Sequence, residues 1–253
     1  MGPLPPTGPD RPAPTYVERA RAESERGEVA LRERLDPEAP QAPGVLELRV
    51  NGLFVMDSLE TTTEQDLARA ALTQVEEPRA VLVGGLGLGY TAREVLGDPR
   101  VETLVVVELE EALVGWMRDG TVPHGPALLA DERLRVVTAD VRQAVAEGRP
   151  ASYDLVLLDV DNGPGSLVHE TNAEVYGAEF LGGVARVLRP GGAVVVWSAA
   201  EAPDLLDALE TVFGTATPIP LAVRLQSRDE QYWLYLARGV AAKGDEDDRL
   251  RGG

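Results

Sequence analysis

The sequence predicts an α/β protein whose main sheet has seven mostly parallel strands with helices on both faces, preceded by a small antiparallel β sheet. From residue 79 onwards, short runs rich in Val and Leu alternate with helical segments. Continuous apolar runs are typical of strands buried on both faces, as in a parallel sheet flanked by helices. At 253 residues the chain is long enough for one such domain and a small appendage.

The small sheet is predicted from three strand-like segments that precede the main domain. The runs EVALRERL and GVLELRV have apolar residues suited to strands, and a Pro-rich loop separates them. The Asn51-Gly52 pair then favours a two-residue hairpin turn into LFVMD. Residues 28–60 are therefore assigned to a small antiparallel sheet.

Both ends of the chain are predicted to be tails. Residues 1–14 are rich in Pro and Gly, and the run YVERARAESER that follows has too few apolar positions to fix a helix face. Residues 239–253 are charged and have almost nothing large to bury. We expect residues 1–27 to be disordered or loosely helical, and residues 239–253 to be disordered.

The main domain is assigned to residues 61–238. Residues 61–75 have apolar positions at helical spacing behind a Thr cap candidate, so they predict a helix between the two parts. Residues 219–225 and 231–237 predict a closing antiparallel pair. The five strands before that pair are predicted by the runs RAVLVGG, VETLVVVE, LRVVTAD, YDLVLLDV and GGAVVVWS.

A glycine loop joins the first of these strands to a helix. Gly85, Gly87 and Gly89 have the spacing G-x-G-x-G, and the missing side chains allow the backbone to approach a ligand closely. A dinucleotide site would need a further glycine where this chain has Tyr90, so the spacing favours a ligand of the adenosylmethionine type over NAD. The same glycines would also suit any tight turn between a strand and a helix.

Acidic residues end the next three strands. Glu108 follows the loop by about twenty residues, where an acid can bind both ribose hydroxyls. Asp140 could accept a hydrogen bond from an adenine amino group, cap the following helix, or do both. Asp159 ends the fourth strand, at the edge where open α/β sheets bind their ligands. Each acid alone could be a solvated strand end, but together with the glycines they predict a nucleoside site.

Composition narrows the classes of ligand and partner. The chain has no Cys, and its only histidines are His124 and His169, so we expect no metal. The net charge of −18 disfavours nucleic acid and would attract a cationic substrate, although it is also typical of a solvated surface. No apolar stretch approaches the roughly 20 residues of a membrane span, and the N-terminus lacks the apolar core of a signal peptide. We therefore expect no membrane association and a cytoplasmic location.

From about residue 28 to 238 the chain resembles the spermidine synthase, or polyamine aminopropyltransferase, family. The more specific features are the Arg93-Glu94 pair after the glycines and the loop from Asp159 to Pro164. Seven segments occur in the family's order, namely VNGLFVMD, TTTEQD, VLVGGLGLGYTAREVL, VVVELEEALV, TAD, YDLVLLDVDNGP and LRPGGAVVV.

This resemblance implies a methyltransferase-like Rossmann fold, a role for each site residue, and a homodimer. Asp159 would help to deprotonate a small-molecule amine acceptor, because a protonated amine has no lone pair with which to attack. Asp161 and Asn162 would contact that acceptor. The nucleoside of S-adenosylmethionine, or of its decarboxylated form, would be held by Gly85, Gly87, Gly89, Glu108 and Asp140.

The chain also departs from the family pattern in the positions that select the substrates. Leu88 stands where the family has an acid that meets the aminopropyl ammonium of the decarboxylated donor. Ala70 and Ala71 replace an expected tyrosine-histidine pair, and Thr61 replaces a glutamine. The second acid of the family's D-x-x-D loop is either shifted to Asp161 or neutralised as Asn162, and His169 and Tyr176 could line an acceptor pocket or belong to an ordinary surface loop.

Three functions follow as alternatives. The first is transfer of an aminopropyl or related group to an amine. The second is a methyltransferase in which Leu88 leaves room for the methionine carboxylate, although Val83 stands where such enzymes usually have an acid. The third is a nucleoside-binding protein without catalysis that acts as a sensor or assembly partner.

Overall fold

The computed structural model describes residues 12–160, 170–225 and 228–239. The chain divides into two compact units, Met1–Leu59 and Glu60–Gly253. The tail predicted for residues 239–253 lies almost wholly outside the described residues, and so does the start of the N-terminal tail.

The first unit is a four-stranded antiparallel sheet in the order β1-β2-β3-β4. Asn51 and Gly52 both have positive φ, 51° and 76°, and they form the tight turn between the last two strands, as the Asn-Gly pair predicts. The strands are β1 (Thr15–Ser24), β2 (Gly27–Leu35), β3 (Val45–Val50) and β4 (Leu53–Asp57).

The helix considered for the run YVERARAESER is wrong, because this segment forms strand β1. Nearly all of its side chains are exposed, so hydrophobic periodicity gave no strand signal. Its structure comes instead from pairing with β2, supported by ion pairs from Arg19 to Glu33 and from Arg21 to Glu28. Cross-strand pairs of opposite charge stabilise an antiparallel ladder.

Buried charges are paired within this small sheet. Glu47 on β3 is only 1% exposed, and its carboxylate accepts hydrogen bonds from Arg32 at 3.1 Å and from Arg34 at 3.0 Å. Asp57, which is also buried, lies 3.5 Å from the Arg34 guanidinium. Burying a carboxylate is costly unless it is paired, so these arginines are needed for Glu47 to lie inside.

The second unit has a seven-stranded sheet in the order β10-β11-β9-β8-β5-β6-β7. Strands β5 to β9 are parallel, and β10 and β11 are antiparallel additions at one edge. The strands are β5 (Ala80–Gly84), β6 (Thr103–Glu108), β7 (Leu134–Thr138), β8 (Tyr153–Leu158), β9 (Leu188–Ser198), β10 (Ala216–Leu225) and β11 (Arg228–Arg238). The helices are α1 (Thr62–Leu72), α2 (Tyr90–Leu96), α3 (Glu111–Asp119), α4 (Gly125–Leu129), α5 (Val141–Glu147), α6 (Ala178–Val187) and α7 (Pro203–Phe213), with a 3-10 turn at Glu170–Tyr176.

This topology confirms the predicted fold class and locates a ligand edge. Successive residues of β5, Val81, Leu82 and Val83, are all at most 2% exposed, so both faces of the sheet are covered. Connections from β5 run first to β6 and β7 on one side, and then β8 pairs with the other side of β5. Open α/β sheets bind ligands at the carboxyl ends of their strands where the strand order reverses, which here is between β5 and β8.

Candidate active site

The glycine loop begins where β5 ends. Gly85, Gly87 and Gly89 have φ of 93°, 49° and 84°, and residues with side chains rarely adopt these values. The Gly85 amide donates a hydrogen bond to the Val107 carbonyl at 2.8 Å, so the loop stays tied to β6 as it leaves β5. Helix α2 starts directly after Gly89.

Space and backbone conformation explain two of the three glycines. A Cβ on Gly85 would lie 2.0 Å from the carbonyl oxygen of Asp159, so the packing of the backbone requires glycine there. A Cβ on Gly89 would meet only the flexible ends of Leu128 and Met117, and the φ of 84° is what favours glycine at that position. The packing at Gly85 also brings the loop backbone against the main chain of Asp159.

Glu108 ends β6 directly beside this loop and is 7% exposed. One carboxylate oxygen accepts a hydrogen bond from the Leu86 amide at 2.8 Å, and the other accepts one from the Glu110 amide at 2.7 Å. Burial raises the pKa of Glu108, and these backbone donors oppose the rise. Each carboxylate oxygen can accept more than one hydrogen bond, so the group can still receive two ribose hydroxyls.

Asp140 acts as the helix cap that the sequence predicts for it. Its carboxylate accepts a hydrogen bond from the Arg142 amide at 2.8 Å, which caps helix α5. The Arg142 guanidinium bonds the same carboxylate at 2.5 Å and also pairs with Glu174. The proposed contact with an adenine amino group stays a prediction.

Asp159 follows β8 at the same edge of the sheet. Its amide donates to the Gly84 carbonyl at 2.8 Å, and its carboxylate accepts a hydrogen bond from the Thr91 hydroxyl at 2.6 Å. Burial raises the pKa of Asp159 from 3.8 to about 6, while the Thr91 bond opposes that rise. The residue is half-buried, so a ligand can reach it.

Glu64 is a site residue that sequence reasoning missed. It lies in the first turn of α1, where its carboxylate accepts a hydrogen bond from the Thr63 hydroxyl at 2.9 Å. Burial, and then the charge of Asp159, raise the pKa of Glu64 from 4.5 to about 7. In the sequence, the segment TTTEQD indicates only the family resemblance and the start of a helix. Glu64 lies close to Asp159 because α1 packs near β8.

Leu88 is packed inside the protein, unlike a residue that faces a ligand. Its side chain is fully buried, and its carbonyl accepts a hydrogen bond from His124 Nε2 at 2.6 Å. Because a carbonyl can only accept, Nε2 carries the proton in this contact. Leu88 therefore belongs to the buried side chains that pack beneath the glycine loop.

The remaining predicted positions contribute less to the described site. Ala71 is fully buried, and the Tyr176 hydroxyl donates to the Val160 carbonyl at 2.6 Å from a largely buried ring. The possible acceptor contacts Asp161, Asn162 and His169 lie outside the described residues. Across residues 12–160, 170–225 and 228–239, no group of three or more His, Asp or Glu side chains is arranged to hold a metal ion. Over the same ranges, no helix has the length and apolar character needed to cross a membrane.

Comparison with protein families identifies the larger unit. A family described as the spermine/spermidine synthase domain matches residues 60–208, which is more than half of the chain. The chain belongs to the spermine/spermidine synthase family. The match covers the glycine loop, Glu64, Glu108, Asp140 and Asp159.

Individual members of the family are similar over part of their length. Polyamine aminopropyltransferase 2 of Pseudomonas aeruginosa is 34% identical over 144 residues, and polyamine aminopropyltransferase 1 of Hyperthermus butylicus is 32% identical over 181. The matches cover 55% and 68% of this chain, but only 39% and 61% of those proteins. Putrescine N-methyltransferase 3 of Nicotiana tabacum is 30% identical over 125 residues, which cover 49% of this chain and 31% of that protein.

Solved structures support the same fold. A spermidine synthase in complex with the transition state analogue AdoDATO superposes with a TM-score of 0.72, covering 89% of this chain and 74% of that one. The spermidine synthase of Thermotoga maritima gives a TM-score of 0.69, covering 89% and 73%. Sequence identity is 17% in both cases, so these structures establish the fold of this spermidine synthase family member and not its substrates.

Proposed function

We propose that this protein transfers an aminopropyl group from a decarboxylated S-adenosylmethionine to an amine acceptor, with Asp159 as the general base. The observation that carries this proposal is the position of Asp159, whose carboxylate bonds Thr91 while its carbonyl contacts Gly85. A proton acceptor thus stands directly beside the loop that would hold the donor.

Two of the acidic residues would bind the donor, and a third would transfer the proton. The sulfonium donor supplies a carbon that an amine lone pair can attack. Glu108 would bind the ribose, and Asp140 would contact the adenine. Asp159 would take a proton from the incoming ammonium, which leaves the lone pair on nitrogen. A carboxyl group with a pKa of about 6 is mostly ionised at neutral pH and still more basic than an ordinary aspartate.

A second candidate function is methyl transfer from intact S-adenosylmethionine to an amine. Two observations favour it, namely the neutral, fully buried Leu88 and the similarity to a putrescine N-methyltransferase. Without an acid at that position, the loop has no side chain there that would prefer the aminopropyl ammonium of the decarboxylated donor. The two functions use the same base and differ in the group transferred.

Product analysis separates these functions. The protein would be incubated with 1,4-diaminobutane and either donor, and the nucleoside products quantified by mass spectrometry. We expect methylthioadenosine from the decarboxylated donor, and S-adenosylhomocysteine would instead establish methyl transfer. The Asp159→Asn variant serves as the control and should lose either product. Stabilisation by the nucleosides without any product would contradict both proposals and indicate a binding protein.

We also propose a cytoplasmic location and, from the family resemblance, a homodimer with a small-molecule amine as its partner. Light scattering coupled to size-exclusion chromatography tests the assembly. A mass near twice 27.1 kDa is expected, and a mass near 27.1 kDa would contradict it.

A further inference from the structure

Three secondary-structure elements meet at the Thr91 side chain. Its hydroxyl lies 2.6 Å from the Asp159 carboxylate at the end of β8, and 3.5 Å from the Glu64 carbonyl in the first turn of α1. Thr91 itself lies at the start of α2 and is buried. Helix α1 packs against both α2 and β8, so Glu64 and Asp159 are held at the same edge of the sheet.

These two carboxylates have no cationic partner among the described residues, in contrast to Glu47, Asp140 and Asp154. Glu47 pairs with three arginines, Asp140 pairs with Arg142, and Asp154 pairs with Arg189 at 2.7 Å. Glu108 also lacks a cation, but two backbone amides donate hydrogen bonds to its carboxylate. The carboxylate of Asp159 accepts a hydrogen bond from the Thr91 hydroxyl, and that of Glu64 accepts hydrogen bonds from the Thr63 hydroxyl and from its own backbone amide. Two shielded like charges are unfavourable unless a proton or a cation lies between them.

The pair therefore ionises in two steps. Asp159 loses its proton with a pKa of about 6, and its charge then contributes to the pKa of about 7 at Glu64. Glu60, just before α1, adds a smaller repulsion on Glu64. Among the other charged groups of α1 and α2, Arg69 pairs with Asp66 and Glu94, and the Arg93 side chain is exposed. Near neutral pH the free site carries part of a proton that a bound cation would displace.

We propose that Glu64 and Asp159 together bind the reacting ammonium group of the acceptor, so that Glu64 is the second carboxylate of the amine site. The inference rests on the proposed function and specifies its acceptor as a primary amine that binds in its protonated form. An ammonium has three N–H donors and can bond both carboxylates at once.

The reaction step balances with these two groups. One N–H bond of the ammonium breaks, its electron pair stays on nitrogen, and the proton forms an O–H bond on Asp159. Glu64 remains ionised and keeps the amine in place. The nitrogen then attacks the carbon beside the sulfonium, the carbon–sulfur bond breaks with its pair on sulfur, and the product is a secondary ammonium. Asp159 finally returns its proton to solvent.

The test compares wild type with Glu64→Gln and with Asp66→Asn, a charge-removing control on the same helix whose partner is Arg69. The ratio kcat/KM for 1,4-diaminobutane would be measured from pH 5 to pH 9 with the donor that is turned over. We expect Glu64→Gln to move the acidic limb from about pH 7 towards pH 6 and to raise KM at pH 8 at least tenfold. Asp66→Asn should change neither.

Calorimetry keeps this test independent of turnover and of folding. Titrating the diamine at pH 7 in two buffers of different ionisation enthalpy reports the protons released on binding. Wild type should release protons, and Glu64→Gln should release fewer. Proton-linked binding without turnover would support the amine site while refuting the transferase. An unchanged pH limb, KM and proton release in Glu64→Gln, with a melting temperature at pH 8 no lower than wild type, would overturn the inference.

Discussion

Replacing Asp159 by Asn should make the protein more stable at alkaline pH while removing its activity. The carboxylate is shielded from water, and burial raises its pKa from 3.8 to about 6. A group whose folded pKa lies above its unfolded value favours the folded state only while it is protonated. Stability is therefore lost as the pH rises from about 4 to about 6, and the whole cost is present at pH 8.

The size of this gain in stability follows from the pKa shift of Asp159. A difference of about two pKa units corresponds to roughly 3 kcal/mol, since one unit is about 1.4 kcal/mol. Relaxation and the partial exposure of Asp159 reduce this figure, so we expect a gain on the order of 1–3 kcal/mol for Asp159→Asn at pH 8. For a chain of this size that gain raises the melting temperature by roughly 2–10 °C. Loss of the general base should lower turnover by about 10²- to 10⁴-fold.

Urea unfolding of both proteins at pH 4.5, 6 and 8 measures the difference directly. The gap between variant and wild type should widen with pH, and at pH 4.5 it should be about a third of its size at pH 8. The Asn side chain can still accept the Thr91 hydrogen bond, so the comparison isolates the charge. A variant that is less stable than wild type at pH 8, or a gap that does not depend on pH, would refute a costly buried charge at Asp159.

Substitutions of Gly85, Leu88 and Glu47, the first two with a control variant, test the packing of the two units by urea unfolding. Gly85→Ala should cost roughly 2–4 kcal/mol, because its Cβ would lie 2.0 Å from the Asp159 carbonyl oxygen at a φ of 93°. Gly182→Ala, in helix α6 with open space around it, is the matched control and should gain up to about 1 kcal/mol. Leu88→Asp should destabilise the protein by more than about 3 kcal/mol, since it buries an unpaired charge, whereas Leu88→Met should cost less than about 1.5 kcal/mol. Glu47→Gln should cost about 3 kcal/mol by leaving two arginines without their carboxylate, and equal stability of variant and wild type would contradict the pairing.

Much of the larger unit is predictable because its signals are local. Continuous apolar runs identify buried strands, and the end of each run fixes where an acid must lie at the sheet edge. Glu108 and Asp159 therefore appear at the predicted edge, and Asp140 appears as the predicted cap. The Asn51-Gly52 turn is likewise encoded by two adjacent residues.

The features that the sequence did not predict depend on partners far away in the chain. Strand β1 has an exposed, charged pattern, and its structure comes from pairing with β2. From the sequence alone, Glu64 is an ordinary residue in the first turn of a predicted helix. Its raised pKa arises because α1 packs near β8, which lies about ninety residues further along the chain. Neither the pairing of β1 with β2 nor the packing of α1 near β8 can be predicted from the spacing of residues in the sequence.

The contact between Gly85 and the carbonyl oxygen of Asp159 fixes the position of Asp159 relative to the glycine loop, independently of the residues that select the substrate. It joins the ends of two adjacent, hydrogen-bonded strands through backbone atoms alone, so the distance between the glycine loop and the main chain of Asp159 does not depend on the side chains around them. Under the proposed function, substitutions elsewhere in the site that choose which group is transferred could then accumulate without moving Asp159 away from the glycine loop. A backbone contact of this kind would allow one alkyl donor to be exchanged for another while the position of the proposed base is kept.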